Sequence, residues 1–285
     1  MKYTEYEDAN AFLARTQEIL EDSEAVNGLM LGLALRLRNT PLMYGSQPLF
    51  ATIGEGHEIA LIVLMTPPHK LQILSPHGAR EEAFEILTTE LRERGWPVPA
   101  VIAEREIAES FADKWTRIAG QKSRLGTQQR IYELREVKHP DYPPGAFRQA
   151  ASDDLGLAKQ WAKSFQDACF GSAQPEAVPE LAKRVEAKVK SGGLFFWVVS
   201  EPVSMAARTR PTPNGEAIGF VYTPPQHRRN GYATAVVARL SQLILDDGKR
   251  CCTLYTDLSN PTSNSIYRKI GYSPVADVVD IHFEE

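Results

Sequence analysis

The sequence has few cysteines, no long apolar run and no excess of basic charge. Its three cysteines, Cys169, Cys251 and Cys252, predict no disulfide framework, and no cysteine–histidine spacing is typical of a metal site. The longest apolar run, Ile59 to Met65, is far shorter than the ~20 residues that span a bilayer. The net charge of −4 gives no global basic surface for nucleic acid. Because the first residues also lack a signal-peptide pattern, we expect a cytoplasmic protein with no metal, membrane or nucleic-acid partner.

The length and composition predict two domains. With 285 residues, of which 43% are apolar and 24% charged, the chain has the composition of a globular protein and exceeds the roughly 100–200 residues of one domain. The densest turn cluster runs from His139 to Gly145. We therefore expect an N-terminal domain at 1–138, a linker at 139–146 and a C-terminal domain at 147–285.

The two halves repeat one order of helices and strands. Thr66-Pro67-Pro68 and Thr223-Pro224-Pro225 each follow an apolar strand and precede an amphipathic helix. Three shared residues are weak support alone, but the matching order of elements favours duplication of one α/β unit.

A strand, a tight turn and a helix start follow one another around Pro225. The helix predicted from Tyr232 to Leu245 would begin with amides that have no intrahelical partner, and its dipole would favour an anion. Gly231 and the small Ala233 would let that anion approach the backbone, while Arg228 and Arg229 add charge. The alternative is a glycine-containing loop that opens an ordinary surface helix.

Two motifs resemble those of the GNAT acyltransferases. The stretch from Val221 to Ala233 resembles motif A, a strand followed by R/Q-x-x-G-x-G/A at a helix start. Downstream, Asn260 is followed after seven residues by Tyr267 and then by Gly271-Tyr272, which resembles motif B. The resemblance implies two GNAT-like units, each a mixed, mostly antiparallel central sheet flanked by helices.

The resemblance also implies acetyl-CoA as co-substrate and a set of residues that bind it. Strand backbone would pair with the pantetheine, and amides of the turn would hold the pyrophosphate. The binding residues so implied are Val221, Tyr222, Thr223, Arg228, Arg229, Asn230, Gly231, Tyr232, Ala233, Thr234 and Asn260. Asn260 is equally a good N-cap for a helix that starts at Pro261.

The reaction implied is direct attack of a primary amine on the thioester, with the strand amide near Val221 as oxyanion donor. Tyr267 matches the family's general acid. A tyrosine, with a pKa of about 10, is a weaker acid than a thiol, with a pKa of about 8.5. The hydroxyl could therefore stabilise the thiolate by a hydrogen bond instead of transferring its proton. Packing on a helix face is its structural alternative.

Glu216 is a candidate base, and its structural alternative is a solvated strand end. It falls one residue from the position where the family usually has its glutamate, which is Ala217 here. His227, Asp257 or a water chain are other candidate bases.

Other polar side chains of the C-terminal half have alternative roles. Cys251 and Cys252 suit a buried strand pair better than a covalent acyl-enzyme route. Arg208 and Arg210 belong to a solvated hairpin or meet an acidic group on the acceptor.

The first half has lost the motif A residues. Alignment of the Thr-Pro-Pro triplets places Leu71, Leu74 and Pro76 opposite Arg228, Gly231 and Ala233. We therefore expect one working site, in an N-acetyltransferase that acts on a small-molecule or peptide amine, with the degenerate half packed against it. The rival functions are a non-catalytic acyl-CoA sensor and an aminoacyl-tRNA-dependent ligase.

Overall fold

The chain forms two compact units in the computed structural model, which describes residues 1–78, 80–170 and 178–284. The first unit comprises Met1–Ile131 and Ala276–Glu285, and the second comprises Tyr132–Val275. Within the described residues, no helix combines the length and the apolar character needed to cross a membrane.

The first unit is a sheet with helices on both faces. Its elements are β1 (Lys2–Glu5), α1 (Ala9–Asp22), α2 (Glu24–Asn39), β2 (Leu49–Glu55), β3 (Glu58–Met65), β4 (Leu71–Leu74), α3 (Glu81–Glu93), β5 (Ala100–Glu104) and α4 (Arg105–Ala119), with parts of β6 (Lys122–Leu134) and β12 (Ser273–Glu284). Phe12 and Leu31 of α1 and α2 pack on one face of the sheet. Phe84 and Phe111 of α3 and α4 pack on the other.

The second unit repeats this arrangement. Its elements are β7 (Ala146–Gln149), α5 (Leu155–Phe170), α6 (Val178–Lys190), β8 (Leu194–Val198), β9 (Pro202–Pro211), β10 (Gly215–Tyr222), α7 (Tyr232–Asp246), β11 (Cys251–Asp257) and α8 (Pro261–Ile270), with the ends of β6 and β12. Val236 and Leu254 belong to the core under α7 and α8. Trp161 and Phe220 belong to the core under α5 and α6.

The compact units differ from the division at 139–146 that the turn cluster predicts. Most of β12 lies in the first unit, where Asp280 is opposite Ile102 of β5 in an antiparallel pair. The segment 139–146 lies in the second unit, where Trp197 donates a hydrogen bond of 3.2 Å to the Pro144 carbonyl. This division follows from strand pairing between residues distant in the sequence. A turn cluster carries no information about that pairing.

Two elements of the first unit differ from the sequence-based expectation. Leu71 to Leu74 form β4, which the sequence analysis treated as the counterpart of an anion-binding turn. β6 begins at Lys122, in a mostly polar stretch whose residues show no alternating apolar pattern that would predict a strand.

Candidate active site

β10 and β11 separate after a short parallel contact. Gly215, Glu216 and Ala217 pair with Cys251, Cys252 and Thr253, and no later residue of either strand continues this pairing in the described part of the chain. β10 remains paired with β9 on its other side as far as Tyr222. A wedge-shaped opening therefore lies between the two strands, and we call it the fork.

A bulge shapes β10 beside the fork. Gly219 is opposite Ala207 and Tyr222 is opposite Met205, so Phe220 and Val221 together face a single residue of β9. Phe220 adopts a positive φ of 52°, which is rare for a residue with a side chain. A bulge of this kind breaks the regular ladder and re-aims backbone groups. The Val221 amide, expected to stabilise an oxyanion, lies in this bulge.

The turn before α7 has the backbone expected of an anion site. Gly231 is the N-cap at φ 79° and offers no side-chain cap to the first helical amides. Arg229 precedes it at φ 67°, and the Asn230 side chain donates to the carbonyls of His227 and Arg228, both at 3.2 Å. The uncapped amides from Tyr232 to Thr234 begin the helix, where its dipole adds positive potential.

The remaining binding residues implied by the motifs lie around this turn and at the start of α8. Thr223 bonds Ser204 through its hydroxyl at 2.8 Å and accepts the Arg228 Nε donor at its carbonyl at 3.0 Å. Tyr222 packs against Trp161, with ring centroids 5.9 Å apart. Asn260 caps α8 by accepting the Ser263 amide at 3.1 Å, which confirms the capping role. Its binding role stays a prediction.

Tyr267 has a buried ring and a hydroxyl with no hydrogen bond to the described residues. The residue is 7% exposed, and its ring contacts those of Tyr132 and Tyr272. Burial raises the pKa of Tyr267 well above its usual value, so the hydroxyl stays protonated. By contrast, the Tyr272 hydroxyl bonds Ser241 at 2.8 Å. Tyr267 therefore combines core packing with an available donor.

Glu216 is engaged in an ion pair. The residue is 6% exposed, and its Oε2 accepts Arg208 Nε at 2.9 Å and Nη2 at 2.5 Å. Arg208 also donates a hydrogen bond to Asp247. Both carboxylates raise the pKa of the Arg208 guanidinium, and the contribution of Glu216 is larger than that of Asp247. Glu216 is thus not the solvated strand end that the sequence allowed. It lies in the paired part of β10, before the fork opens.

Asp257 is the last residue of β11 and has one carboxylate oxygen available. Its Oδ1 accepts the Ser259 amide and hydroxyl, both at 2.7 Å, while Oδ2 has no hydrogen bond to the described residues. The carboxylate therefore lies at the end of β11 that is no longer paired with β10.

The two neighbouring cysteines of β11 are core residues. Cys251 and Cys252 are buried at 3% and 0% exposure, and burial raises the pKa of Cys252 to about 12. Neither property suits a nucleophilic thiolate.

The first unit differs from the second at the helix start that follows the corresponding strand. In the order of elements β4 and β5 correspond to β10 and β11, and Leu71 of β4 pairs with Val101 of β5 in parallel register. The helix α3 begins after the N-cap Arg80, whose backbone is extended at φ −120°, whereas α7 begins after Gly231 at φ 79°. The first unit therefore lacks the glycine turn at this position.

Comparison with known proteins is informative about the fold. Residues 197–278 match the family described as FR47-like protein. No curated protein matches the chain. A GNAT-family acetyltransferase from Colwellia psychrerythraea is similar to this chain, with a TM-score of 0.61, 11% identity and coverage of 100% of both chains. A GCN5-related N-acetyltransferase from Kribbella flavida gives a TM-score of 0.57 at 17% identity over 82% of this chain and 89% of its own.

A tandem GNAT protein from the clavulanic acid biosynthesis pathway covers the whole chain. Its TM-score is 0.51 at 10% identity, with 100% of this chain and 98% of its own length covered. This chain has the fold of the GNAT superfamily. The tandem GNAT-like arrangement and the mixed α/β fold class predicted from the two motifs are therefore confirmed, while the roles of individual site residues stay predictions.

Proposed function

We propose that the second GNAT unit is an N-acetyltransferase that moves an acetyl group from acetyl-CoA to a primary amine of a small-molecule or peptide acceptor. The observation that carries this proposal is the fork between β10 and β11, followed directly by the uncapped turn at Gly231. An extended thioester fits an opening between strands, and its pyrophosphate fits helix amides that no side chain occupies.

The chain's own residues would divide the binding of acetyl-CoA. Backbone groups of Val221 and Thr223 would pair with the pantetheine amides along the open edge of β10. Amides from Arg229 to Thr234 would hold the pyrophosphate, and the exposed guanidinium of Arg229 would add charge. The fit is supported by Gly231, because a glycine tolerates the positive φ of this turn and supplies no side chain to cap the first helical amides.

Two donors would act on the reacting groups. Bound acetyl-CoA supplies an acetyl group activated as a thioester. The Val221 amide in the bulge would donate to the carbonyl oxygen as negative charge develops there. The Tyr267 hydroxyl would donate a hydrogen bond to the departing sulfur, and its raised pKa favours hydrogen bonding over full proton transfer.

Asp257 is the better candidate base for the incoming amine. An amine with a pKa near 10 is about one part in a thousand neutral at pH 7, so a proton acceptor is needed near the fork. Glu216 already accepts two donors from Arg208, and freeing it would leave a half-buried guanidinium without its main partner. Asp257 Oδ2, at the end of β11, requires no such rearrangement.

The test is a pair of glycine substitutions at the two ends of α7. Gly231→Ala and Gly248→Ala each place a side chain at positive φ, 79° and 91°, and each should cost about 1 kcal/mol of stability. We expect acetyl-CoA to bind at least tenfold more weakly to Gly231→Ala only, because the strained turn reorients the amides. Calorimetric titration gives the affinity, and thiol release on an amine panel gives turnover.

The outcomes of this test separate the rival functions. Equal weakening in both variants would remove the turn from acetyl-CoA binding. Tight binding without turnover on any amine would favour a non-catalytic sensor. Binding of tRNA without binding of acetyl-CoA would favour a tRNA-dependent ligase.

A further inference from the structure

The side chain of Asn264 joins three elements of the second unit beside the fork. Its Oδ1 atom accepts the hydroxyl of Tyr132 on β6 at 3.0 Å. Its Nδ2 atom donates to the carbonyl of Asp257 at 3.1 Å and to the carbonyl of Asn260 at 2.8 Å. Both donor hydrogens of the amide are thus engaged. Since Asn264 belongs to α8, this one side chain links β6, the end of β11 and the N-cap of α8.

The groups that Asn264 links include those assigned to the reaction. Asp257 is the last residue of β11 and the candidate base. Tyr267, the candidate donor to the departing sulfur, follows Asn264 by three residues and therefore lies on the same side of α8, one turn further along. Its ring contacts the ring of Tyr132, with centroids 6.2 Å apart. Asn264 therefore ties the end of β11 to the part of α8 that carries Tyr267.

The end of β11 has lost the restraint that strand pairing provides elsewhere. In the described part of the chain, its pairing with β10 stops at Thr253, four residues before Asp257. The Asp257 carbonyl accepts the Asn260 amide at 3.1 Å, but this bond closes only a local turn. The bond from Asn264 connects the same carbonyl to the helix itself. It therefore restrains the position of the candidate base relative to α8.

Packing alone does not explain an asparagine at this position. Asparagine is a poorer helix former than alanine or leucine, and Ile266, Tyr267 and Ile270 already supply the apolar contacts of α8 with the core. The bond from Tyr132, which is fully buried, satisfies a hydroxyl in the interior. An apolar pair of the same shape would fill that space without any polar group. The two Nδ2 bonds therefore contribute the position of the strand end and not the packing of the core.

We propose that Asn264 is a positioning residue, which holds the Asp257 carboxylate in place for the incoming amine. This inference rests on the proposed function. A reacting group that is misplaced by ~1 Å can cost about a hundredfold in rate, so a restraint on the base matters to turnover even when the fold is unchanged. Asn264 acts through Asp257, whereas the amides proposed to hold the pyrophosphate of acetyl-CoA belong to the turn at Gly231.

The experiment measures thiol release and acetyl-CoA affinity for the full chain in variants that lose both Nδ2 bonds. Asn264→Asp keeps an acceptor for Tyr132 and replaces the amide donor by an oxygen; an acidic side chain near a helix start is favourable, so this variant should fold. The double variant Asn264→Leu with Tyr132→Phe removes the same bonds and leaves no buried hydroxyl unpaired. We expect each to lower kcat at least tenfold, with the Kd for acetyl-CoA changed by less than about threefold.

Two matched measurements separate positioning from a general effect on the fold. Tyr132→Phe alone keeps both Nδ2 bonds of Asn264, and its kcat should stay within about threefold of the unmodified chain. In an Asp257→Asn background, Asn264→Asp should lower kcat by less than about threefold further, because the carboxylate that it positions is already absent. A merely structural role would give the same factor in both backgrounds.

Three results would overturn the inference while leaving the proposed function intact. They are an unchanged kcat in both variants at Asn264, an equal loss with and without the Asp257 carboxylate, and a loss that arises entirely from weaker binding of acetyl-CoA. Absence of turnover by the unmodified chain with every amine would refute the proposed function, and this inference with it.

Discussion

The Tyr267→Phe substitution removes one hydroxyl from a buried ring and leaves the ring packing unchanged. In the structure that hydroxyl makes no hydrogen bond to the described residues, and the ring rests between those of Tyr132 and Tyr272. The substitution therefore breaks no hydrogen bond among the described residues. We expect the free energy of unfolding to change by less than about 0.5 kcal/mol, the usual range where no satisfied group is lost.

The catalytic effect should be much larger. A hydrogen bond to a charged group contributes about 1.5–3 kcal/mol. If Tyr267 donates to sulfur as the thiolate forms, its loss should lower kcat about 10- to 150-fold. Acetyl-CoA affinity should stay within about twofold, because the interaction strengthens only as charge develops.

The assay is the rate of thiol release under saturating acetyl-CoA and acceptor, with affinity measured separately. Tyr272→Phe is the matched control, since it removes a buried hydroxyl that bonds Ser241 at 2.8 Å. That control should cost about 1 kcal/mol of stability with kcat unchanged. The two variants should thus show opposite patterns of stability and turnover.

The pH dependence gives an independent check. Because burial raises the pKa of Tyr267, the hydroxyl remains protonated through the working range, and an alkaline fall in kcat below pH 10 should persist in Tyr267→Phe. Unchanged turnover in the variant would refute the role of Tyr267. A large loss of stability would show that the hydroxyl has a structural partner instead.

Two further predictions concern the base and the number of sites. Glu216→Gln should lower stability by about 1–3 kcal/mol, because it removes the charge that pairs with Arg208, which then keeps only Asp247 as an acidic partner. Asp257→Asn should keep stability and lower kcat at least tenfold. Thermal melts and thiol release measure both, and the reverse pattern would restore Glu216 as base. Calorimetric titration should find one acetyl-CoA site per chain, because α3 of the first unit begins after Arg80 in extended backbone and lacks the glycine turn that precedes α7; a second site would contradict this.

The local elements of the second unit could be predicted because short-range pattern specifies them. The apolar run before Pro224, the positive-φ glycine and the amphipathic repeat of α7 are properties of consecutive residues, and the structure has each where the sequence indicates it. The N-cap role of Asn260 followed from the proline at the first helical position in the same way. No long-range information was needed for these features.

Features that depend on strand pairing could not be predicted. The Arg208–Glu216 pair joins side chains on neighbouring strands, so counting residues from the motif could not show that the carboxylate is engaged. The position of β12 beside β5 depends on an antiparallel pairing between residues far apart in the sequence, such as Asp280 and Ile102. Leu71 to Leu74 carry no local sign that they insert between two strands.

The sequence by itself determined the glycine turn from Arg228 to Ala233 and the helix that follows, because capping and glycine conformation act within a few residues. Tertiary structure alone decided that β10 and β11 separate beside this turn. It also decided which charged groups line the opening. The physical reason is that strand separation, bulges and ion pairs arise between segments distant in sequence, where pairing energy and packing outweigh local preference.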